Sequence, residues 1–120
     1  MYQALLVGLG GFIGSILRYG VGVLCKNHLG ASLSTDFPFG TLLVNIVGSF
    51  LIGLALVRPE LSENQKLLLV TGVLGGFTTF SAFSWEALEL LNQQKFTYFA
   101  YYFGLTLALG LLAAYLGSKI

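Results

Sequence analysis

Four long apolar stretches separated by short polar segments dominate the hydrophobic pattern of the chain. They cover residues 2–25, 39–57, 63–91 and 96–116. A helix needs about 20 predominantly apolar residues to cross the hydrocarbon core of a bilayer, and each stretch is close to that length. The pattern therefore predicts an all-α membrane protein whose four transmembrane helices form a single domain over residues 1–120.

The ends of the stretches carry recognisable start and stop signals. A polar segment, residues 26–38, follows the first stretch. Ser62 and Gln65 have the spacing of a capping box, so the third helix is expected to begin at about Glu63. The first stretch has no basic segment before it and continues past Arg18 without a clear cleavage site, which predicts a retained span rather than a signal peptide.

Composition excludes several classes of protein. Only 9% of the 120 residues are charged and 56% are hydrophobic, which is too little charge to cover a soluble domain. The net charge of +1 offers no basic patch for phosphates, so no nucleic-acid partner is expected. The single cysteine cannot form an intrachain disulfide. The sequence has no Cys/His metal cluster, nucleophile triad or nucleotide-binding loop, so an enzyme is not expected.

Charge within the spans is nearly absent. Arg18 is the only basic residue well inside a span, and it is expected to snorkel toward the end near Cys25. The first, second and fourth spans contain no acidic residue, which removes the usual carboxylate of a proton-coupled transporter.

The third stretch is interrupted at its centre by the sequence "GGFTTFSAF". Gly75 and Gly76 predict the end of one half-helix, and the residues after them the start of another. A break at mid-membrane is tolerated only where it is buried or lines a cavity, and it frees carbonyls that suit cations and N–H groups that suit anions. The alternative is a kink that relieves packing. The hydroxyls of Thr78, Thr79 and Ser81 favour a functional site.

Two further groups are candidates for contact with an ion. Asn45 shares a helical face with Thr41 and Ser49, and its amide is either a donor to a passing ion or a link between helices. Phe80 and Phe83 are three residues apart and share a face. Such pairs usually fill space, but an aromatic ring has a positive edge that suits a dehydrated anion.

The glycines and the charge balance predict assembly. Gly10 and Gly14 form a G-x-x-x-G step, which serves either helix pairing between copies or packing within the chain. Lysine and arginine are nearly balanced across the membrane, with Arg58, Lys66 and Lys119 on one side and Lys26, Lys95 and the nearby Arg18 on the other. The positive-inside rule then has little to act on, which favours insertion in both orientations over one weakly fixed orientation. Opposite copies are expected to pair about a twofold axis.

Three sequence blocks together resemble the Fluc (CrcB) fluoride channels: "GGFIGSILRY", "FGTLLVNIVGSFLIG" and "GVLGGFTTFSAF". The resemblance covers the first three spans in order and with the right spacing, and the fourth by length. It implies a fluoride channel in the cell membrane that lets fluoride leave passively and so lowers its toxicity in the cytoplasm. It also implies an antiparallel dual-topology homodimer, surrounded by lipid, with two fluoride pores.

The same resemblance implies roles for particular residues. The pore residues would be Asn45, Phe80, Phe83, Ser81, Thr41 and Thr79. A structural sodium ion (Na+) at the dimer centre would be held by the backbone carbonyls of Gly75 and Thr78, and Arg18 matches the structural arginine of the family's first block. The chain departs from the family pattern where hydroxyls are common, namely at Ala82, Gly110 and Ala114, while Thr106 lies one turn before Gly110.

Two other functions remain alternatives at this point. A small dual-topology drug exporter has the same size and number of spans, but it needs a carboxylate in its first span. A non-conducting assembly protein is the second alternative, and anion flux through the purified protein separates it from a channel.

Overall fold

The structure is a computed structural model that describes residues 1–30 and 37–120, so part of the predicted polar segment 26–38 lies outside the described residues. The regular elements in these ranges are helical. We name the helices α1 to α5. They are α1 (Tyr2–Cys25, continued by a π-helical turn, Lys26–Gly30), α2 (Phe39–Leu56), α3 (Glu63–Lys66, π-helical Leu67–Leu74 and Gly75–Phe77), α4 (Phe80–Asn92) and α5 (Phe96–Lys119).

Four helical segments are long and apolar enough to cross a membrane, as the hydrophobic pattern predicts: Tyr2–His28, Phe39–Leu56, Glu63–Asn92 and Phe96–Lys119. The second ends one residue before the predicted limit and the fourth continues three residues beyond it. Ser62 caps α3 through a complete capping box, because its hydroxyl accepts from Gln65 N and the Gln65 side chain accepts from Ser62 N. The third helix therefore begins at Glu63, as expected.

Glycine decides how α1 packs against α3. A Cβ at Gly10 would overlap the Leu68 carbonyl oxygen, and one at Gly14 would overlap the Val73 carbonyl oxygen. A Cβ at Gly76 would lie 2.7 Å from the carbonyl oxygen of Gly11. The two backbones thus touch along a seam that no larger residue would permit. Of the two roles considered for the Gly10–Gly14 step, packing within the chain is the one observed.

A second glycine seam joins α2 to α5. A Cβ at Gly53 would overlap the Ala114 carbonyl oxygen, and one at Gly117 would overlap that of Phe50. The buried apolar cluster lies between α2, α4 and α5 and consists of Leu42, Phe83, Ala87, Leu90 and Tyr102. Many other large apolar side chains point outward, which suits a molecule whose solvent is lipid.

The interruption of the third span lies three residues later than predicted, at Thr78 and Thr79 rather than at Gly75 and Gly76. Gly75 and Gly76 are helical, with φ −62° and ψ −38° at Gly75. The extended residues are Thr78, with φ −87° and ψ 158°, and Thr79, with φ −153° and ψ 121°. The placement of the half-helix end at Gly75-Gly76 is therefore wrong, because Gly76 serves the close approach to α1. The backbone leaves the helix where Thr79 caps α4.

Candidate functional site

An open pocket of about 260 Å³ borders the interruption, between α2, the end of α3, the start of α4, and α5. It is lined by Asn45, Ser49, Ile52, Thr78, Thr79, Phe80, Phe83, Thr106, Leu107 and Gly110. These side chains are amides, hydroxyls, aromatic rings and aliphatic groups. The pocket thus gathers four of the six predicted pore residues in one place, while Thr41 and Ser81 lie outside its lining.

The amide of Asn45 replaces the backbone partners that Thr79 loses at the interruption. Asn45 Nδ2 donates to the Thr79 carbonyl oxygen at 3.0 Å, and Thr79 N donates to Asn45 Oδ1 at 2.8 Å. The side chain therefore pairs with Thr79 as a neighbouring peptide group would. A primary amide has two N–H groups, and the second one of Asn45, at the pocket, has no partner among residues 1–30 and 37–120.

Thr79 also begins α4 with its side chain. Its Oγ1 accepts from Ala82 N at 3.2 Å, which satisfies one of the free amides of the first turn. The hydroxyls of Thr79 and Ser81 lie 3.3 Å apart and share a hydrogen bond. Ser81 is exposed, so the structure places this predicted pore residue on the outer side of the cap, next to the pocket rather than in its wall.

Two carbonyls at the interruption are occupied by side chains from other helices. Arg18 Nε, on α1, donates to the Gly76 carbonyl oxygen at 3.0 Å. The Thr79 carbonyl accepts from Asn45 as described above. Arg18 is half-buried and reaches toward the third span, so the expectation that it snorkels toward the end near Cys25 does not describe its hydrogen bond.

Gly75 and Thr78 carry two further carbonyls whose helical donors bond to other groups. The N–H group of residue i+4 bonds to the carbonyl of residue i in an α-helix. For Gly75 that donor is Thr79 N, which bonds to Asn45 instead. For Thr78 the donor is Ala82 N, which bonds to the Thr79 hydroxyl instead. Gly75 is also exposed on the surface of the chain.

The two phenylalanines of the pair lie in different environments, although they share a helical face. Their ring centroids are 5.8 Å apart with an angle of 43° between the planes. Phe83 is only 5% exposed and packs on Tyr102 and Phe103, at 5.2 Å and 5.8 Å between centroids. Phe80 is 79% exposed. One ring is therefore packed within the chain, and the other projects away from it.

Thr41 belongs to a separate polar cluster. The fully buried Tyr102 donates its hydroxyl hydrogen to Glu86 Oε1 at 3.0 Å, and the Thr41 side chain hydrogen-bonds the same hydroxyl. Glu86 and Glu89 also line a second open pocket near Pro38. Sequence reasoning missed the pairing of Tyr102 with Glu86, because their separation of 16 residues has no helical period to point it out.

Thr106 stands out among the residues that line the main pocket. Its Oγ1 is buried and has no hydrogen-bond partner within the part of the chain that the structure describes. A buried polar atom without a partner costs free energy, so it usually signals a missing ligand, water or ion. Its place in the lining provides a donor close to Asn45 and the phenylalanine pair.

Comparison with known proteins agrees with these features. A family model described as "CrcB-like protein, Camphor Resistance (CrcB)" matches residues 5–118. A protein of Thermus thermophilus named "Fluoride-specific ion channel FluC" is 49% identical over 124 residues, which cover 100% of this chain and 95% of the relative. A protein of Bacillus thuringiensis named "Fluoride-specific ion channel FluC 2" is 42% identical over 120 residues, covering 100% of this chain and 98% of the relative. These names describe ion channels and not enzymes.

Proposed function

The chain belongs to the CrcB family, and on that premise we propose that it is a fluoride-specific ion channel of the cell membrane. Fluoride would leave the cell passively through it, which lowers the toxicity of fluoride in the cytoplasm. The observation that carries the proposal is the pocket at the interruption of the third span, where amide, hydroxyl and aromatic groups converge within four apolar membrane-spanning segments.

The chemistry of this pocket suits a small, strongly hydrated anion. Within the described residues, one N–H group of Asn45 and the Thr106 hydroxyl have no partner, and the rings of Phe80 and Phe83 offer positive edges. These groups replace water around the ion without the full positive charge that would trap it. Conduction requires such a balance, because the ion must be able to enter and also to leave. Thr79 belongs to the wall of this pocket and Ser81 lies beside it, while Thr41 would add a hydroxyl from the separate cluster around Tyr102.

An antiparallel homodimer with two pores completes the proposal. Phe80 projects from its own subunit, and a copy that contributes this ring to a pore built from both subunits gives it a role. Gly75 also supports contact with a second copy. A Cβ there would make only an ordinary contact at 3.7 Å, so packing within the chain does not require a glycine at this position. The near balance of Lys and Arg across the membrane favours both orientations.

The dual orientation is tested by labelling in intact cells. A single cysteine is placed at Gln94, in the loop before α5, in a background where Cys25 is replaced by alanine. An impermeant thiol reagent is expected to label part of the population from outside and the rest only after permeabilisation. Complete labelling, or complete protection, of the whole population from outside contradicts the dual orientation.

A structural sodium ion at the dimer centre fits the carbonyl groups at the interruption. Gly75 and Thr78 carry the two carbonyls whose helical donors bond elsewhere, and a twofold axis would bring together four such oxygens. Backbone carbonyls suit an alkali cation that gives up its water. When bound, the ion supplies a positive charge that holds the interrupted backbones of two copies together, and it is not itself conducted.

The decisive experiment is anion efflux from liposomes that contain the purified protein. Fluoride is expected to leave rapidly, and chloride, as the control, is expected to be retained. A protein that reconstitutes as a dimer but releases neither anion would be an assembly protein. Equal release of both anions would show a channel without the proposed selectivity.

A further inference from the structure

We propose that Arg18 is a positioning residue that keeps the Gly76 carbonyl away from the cation at the interruption. The inference rests on the proposed sodium site and adds a residue that acts on that site from another helix. Arg18 Nε donates to the Gly76 carbonyl oxygen at 3.0 Å, so this carbonyl is held on α1. Gly75 and Thr78, on either side of it, carry carbonyls whose helical donors bond elsewhere.

The glycine seam explains how an arginine from a neighbouring span reaches this backbone. Gly10, Gly14 and Arg18 are spaced four residues apart and lie on one face of α1. The two glycines bring α1 into backbone contact with α3, and a Cβ at Gly14 would overlap the Val73 carbonyl oxygen. Arg18 is the next residue on that face, so its side chain meets the end of α3 just as the helix stops.

The donor atom matters more than the charge in this arrangement. The hydrogen bond comes from Nε, within the side chain, rather than from the terminal Nη atoms. If Gly76 were released, each subunit would offer one more carbonyl beside those of Gly75 and Thr78. More oxygen ligands in a looser site favour a larger cation over a small one, so the loss of this bond should weaken the preference for sodium over potassium.

Two substitutions separate the donor from the charge. In Arg18→Gln, Nε2 follows the same three side-chain carbons as Nε of arginine, so an N–H donor is kept while the charge is removed. In Arg18→Met, a methyl group takes that place, and both donor and charge are lost. Arg58→Met, which removes a charge from a groove between α2 and α3 away from the interruption, is the matched control.

The measurement is the thermal unfolding midpoint of the purified dimer in increasing NaCl or KCl, which reports the apparent affinity for each cation. Fluoride efflux is measured on the same preparations. We expect the sodium preference of the wild type to fall about tenfold or more in Arg18→Met, a difference of roughly 1.4 kcal/mol. It should change by less than about threefold in Arg18→Gln and Arg58→Met, where the donor bond is kept, less than roughly 0.7 kcal/mol.

Two results overturn the inference while leaving the channel function intact. An unchanged sodium preference in Arg18→Met would make the arginine an ordinary packing residue. Equal losses in Arg18→Gln and Arg18→Met would assign the effect to charge. A wild type that conducts fluoride without any response to cation overturns both the sodium site and the inference, whereas a wild type that does not conduct fluoride overturns the proposed function.

A structure of the wild-type dimer in sodium gives a second test, which holds even if Arg18→Met does not fold. The Gly76 carbonyl is expected to stay on Arg18, with the cation bonded to Gly75 and Thr78. A cation bonded to the Gly76 carbonyl would overturn the inference.

Discussion

Toward α1 the third span leaves no space between backbones, whereas toward α2 and α5 it borders an open pocket of about 260 Å³. The first side is built from glycines, with Gly76 packed on the backbone of Gly11. The second side is lined by one amide, several hydroxyls, aromatic rings and aliphatic groups, and the hydroxyl of Thr106 has no partner in the described part of the chain.

The two sides of the interruption therefore have different roles, one fixing the backbone and the other providing polar groups. Close backbone packing on one side has little freedom to adjust, because protein interiors are dense and a displaced backbone meets another at once. That side fixes the end of α3 in space. The other side is free to leave donors unused, because the fold does not depend on satisfying them. Rigidity on one side therefore makes an unsatisfied site possible on the other.

The largest effect is expected from closing the seam with a side chain. In Gly14→Val the new atoms meet the backbone of Val73, which cannot rotate away. Overpacking usually costs about 1–3 kcal/mol and sometimes more, and we expect the upper end or failure to fold. Recovery as one species in gel filtration and the unfolding midpoint measure it. Gly8→Val, where a Cβ meets nothing within 4 Å, is the control, and equal behaviour of the two variants would contradict the seam.

The phenylalanine pair divides the open side into a wall and a projecting ring. Phe80→Ile and Phe83→Ile remove the ring edge from a dehydrated anion, which should raise the barrier by about 1–3 kcal/mol. Each 1.4 kcal/mol slows transport roughly tenfold, so both variants should lose most fluoride efflux from liposomes. Only Phe83→Ile, whose ring is buried, should lower the unfolding midpoint. If both variants conduct like the wild type, the rings serve packing alone.

Thr106→Val tests whether the unused hydroxyl serves the ion or the fold. The substitution keeps the shape and removes an unpartnered polar atom, so the free energy of unfolding should stay the same or rise by up to about 1 kcal/mol. Fluoride efflux should fall several-fold. Thr97→Val, at the exposed start of α5, is the control and should leave efflux unchanged. A loss of stability in Thr106→Val would mean that the hydroxyl has a structural partner.

The smallest effect is expected at the far end of the third span. Ser62→Ala removes the hydroxyl that accepts from Gln65 N, and the loss of such a cap costs about 1 kcal/mol. The unfolding midpoint should drop slightly while fluoride efflux is unchanged, because the third-span residues of the pocket begin at Thr78, more than three helical turns away along the chain. A large loss of efflux would show that the interruption is not fixed by the seam.

The sequence predicts much of this architecture because hydrophobic length and capping act locally. The spans follow from runs of apolar residues, and the capping box follows from Ser62 and Gln65 alone. The position of the interruption does not follow in this way. Gly75 and Gly76 suggest a weak point, yet Gly76 is needed for contact with α1, and it is Asn45 on another helix that pairs with the released backbone.

The sequence predicts which residues form the candidate site but not how their side chains are arranged in space. Phe80 and Phe83 share a face by their spacing, but their different burial depends on where α5 packs. Thr41 shares the helical period of Asn45, yet Tyr102 draws it into another cluster. The bond from Arg18 to Gly76 spans 58 positions and depends on the seam, which no local pattern encodes.

The paired hydrogen bonds between Asn45 and Thr79 also bear on how this protein can change over generations. Both bonds end on the backbone of residue 79, which every amino acid except proline carries in the same form. Position 79 should therefore tolerate substitution, and serine there would also retain the hydroxyl that caps α4. Position 45 should tolerate few substitutions, because aspartate lacks the N–H donor and glutamine is longer by one methylene. The position of the interruption in the third span therefore depends on Asn45, a residue of the second span.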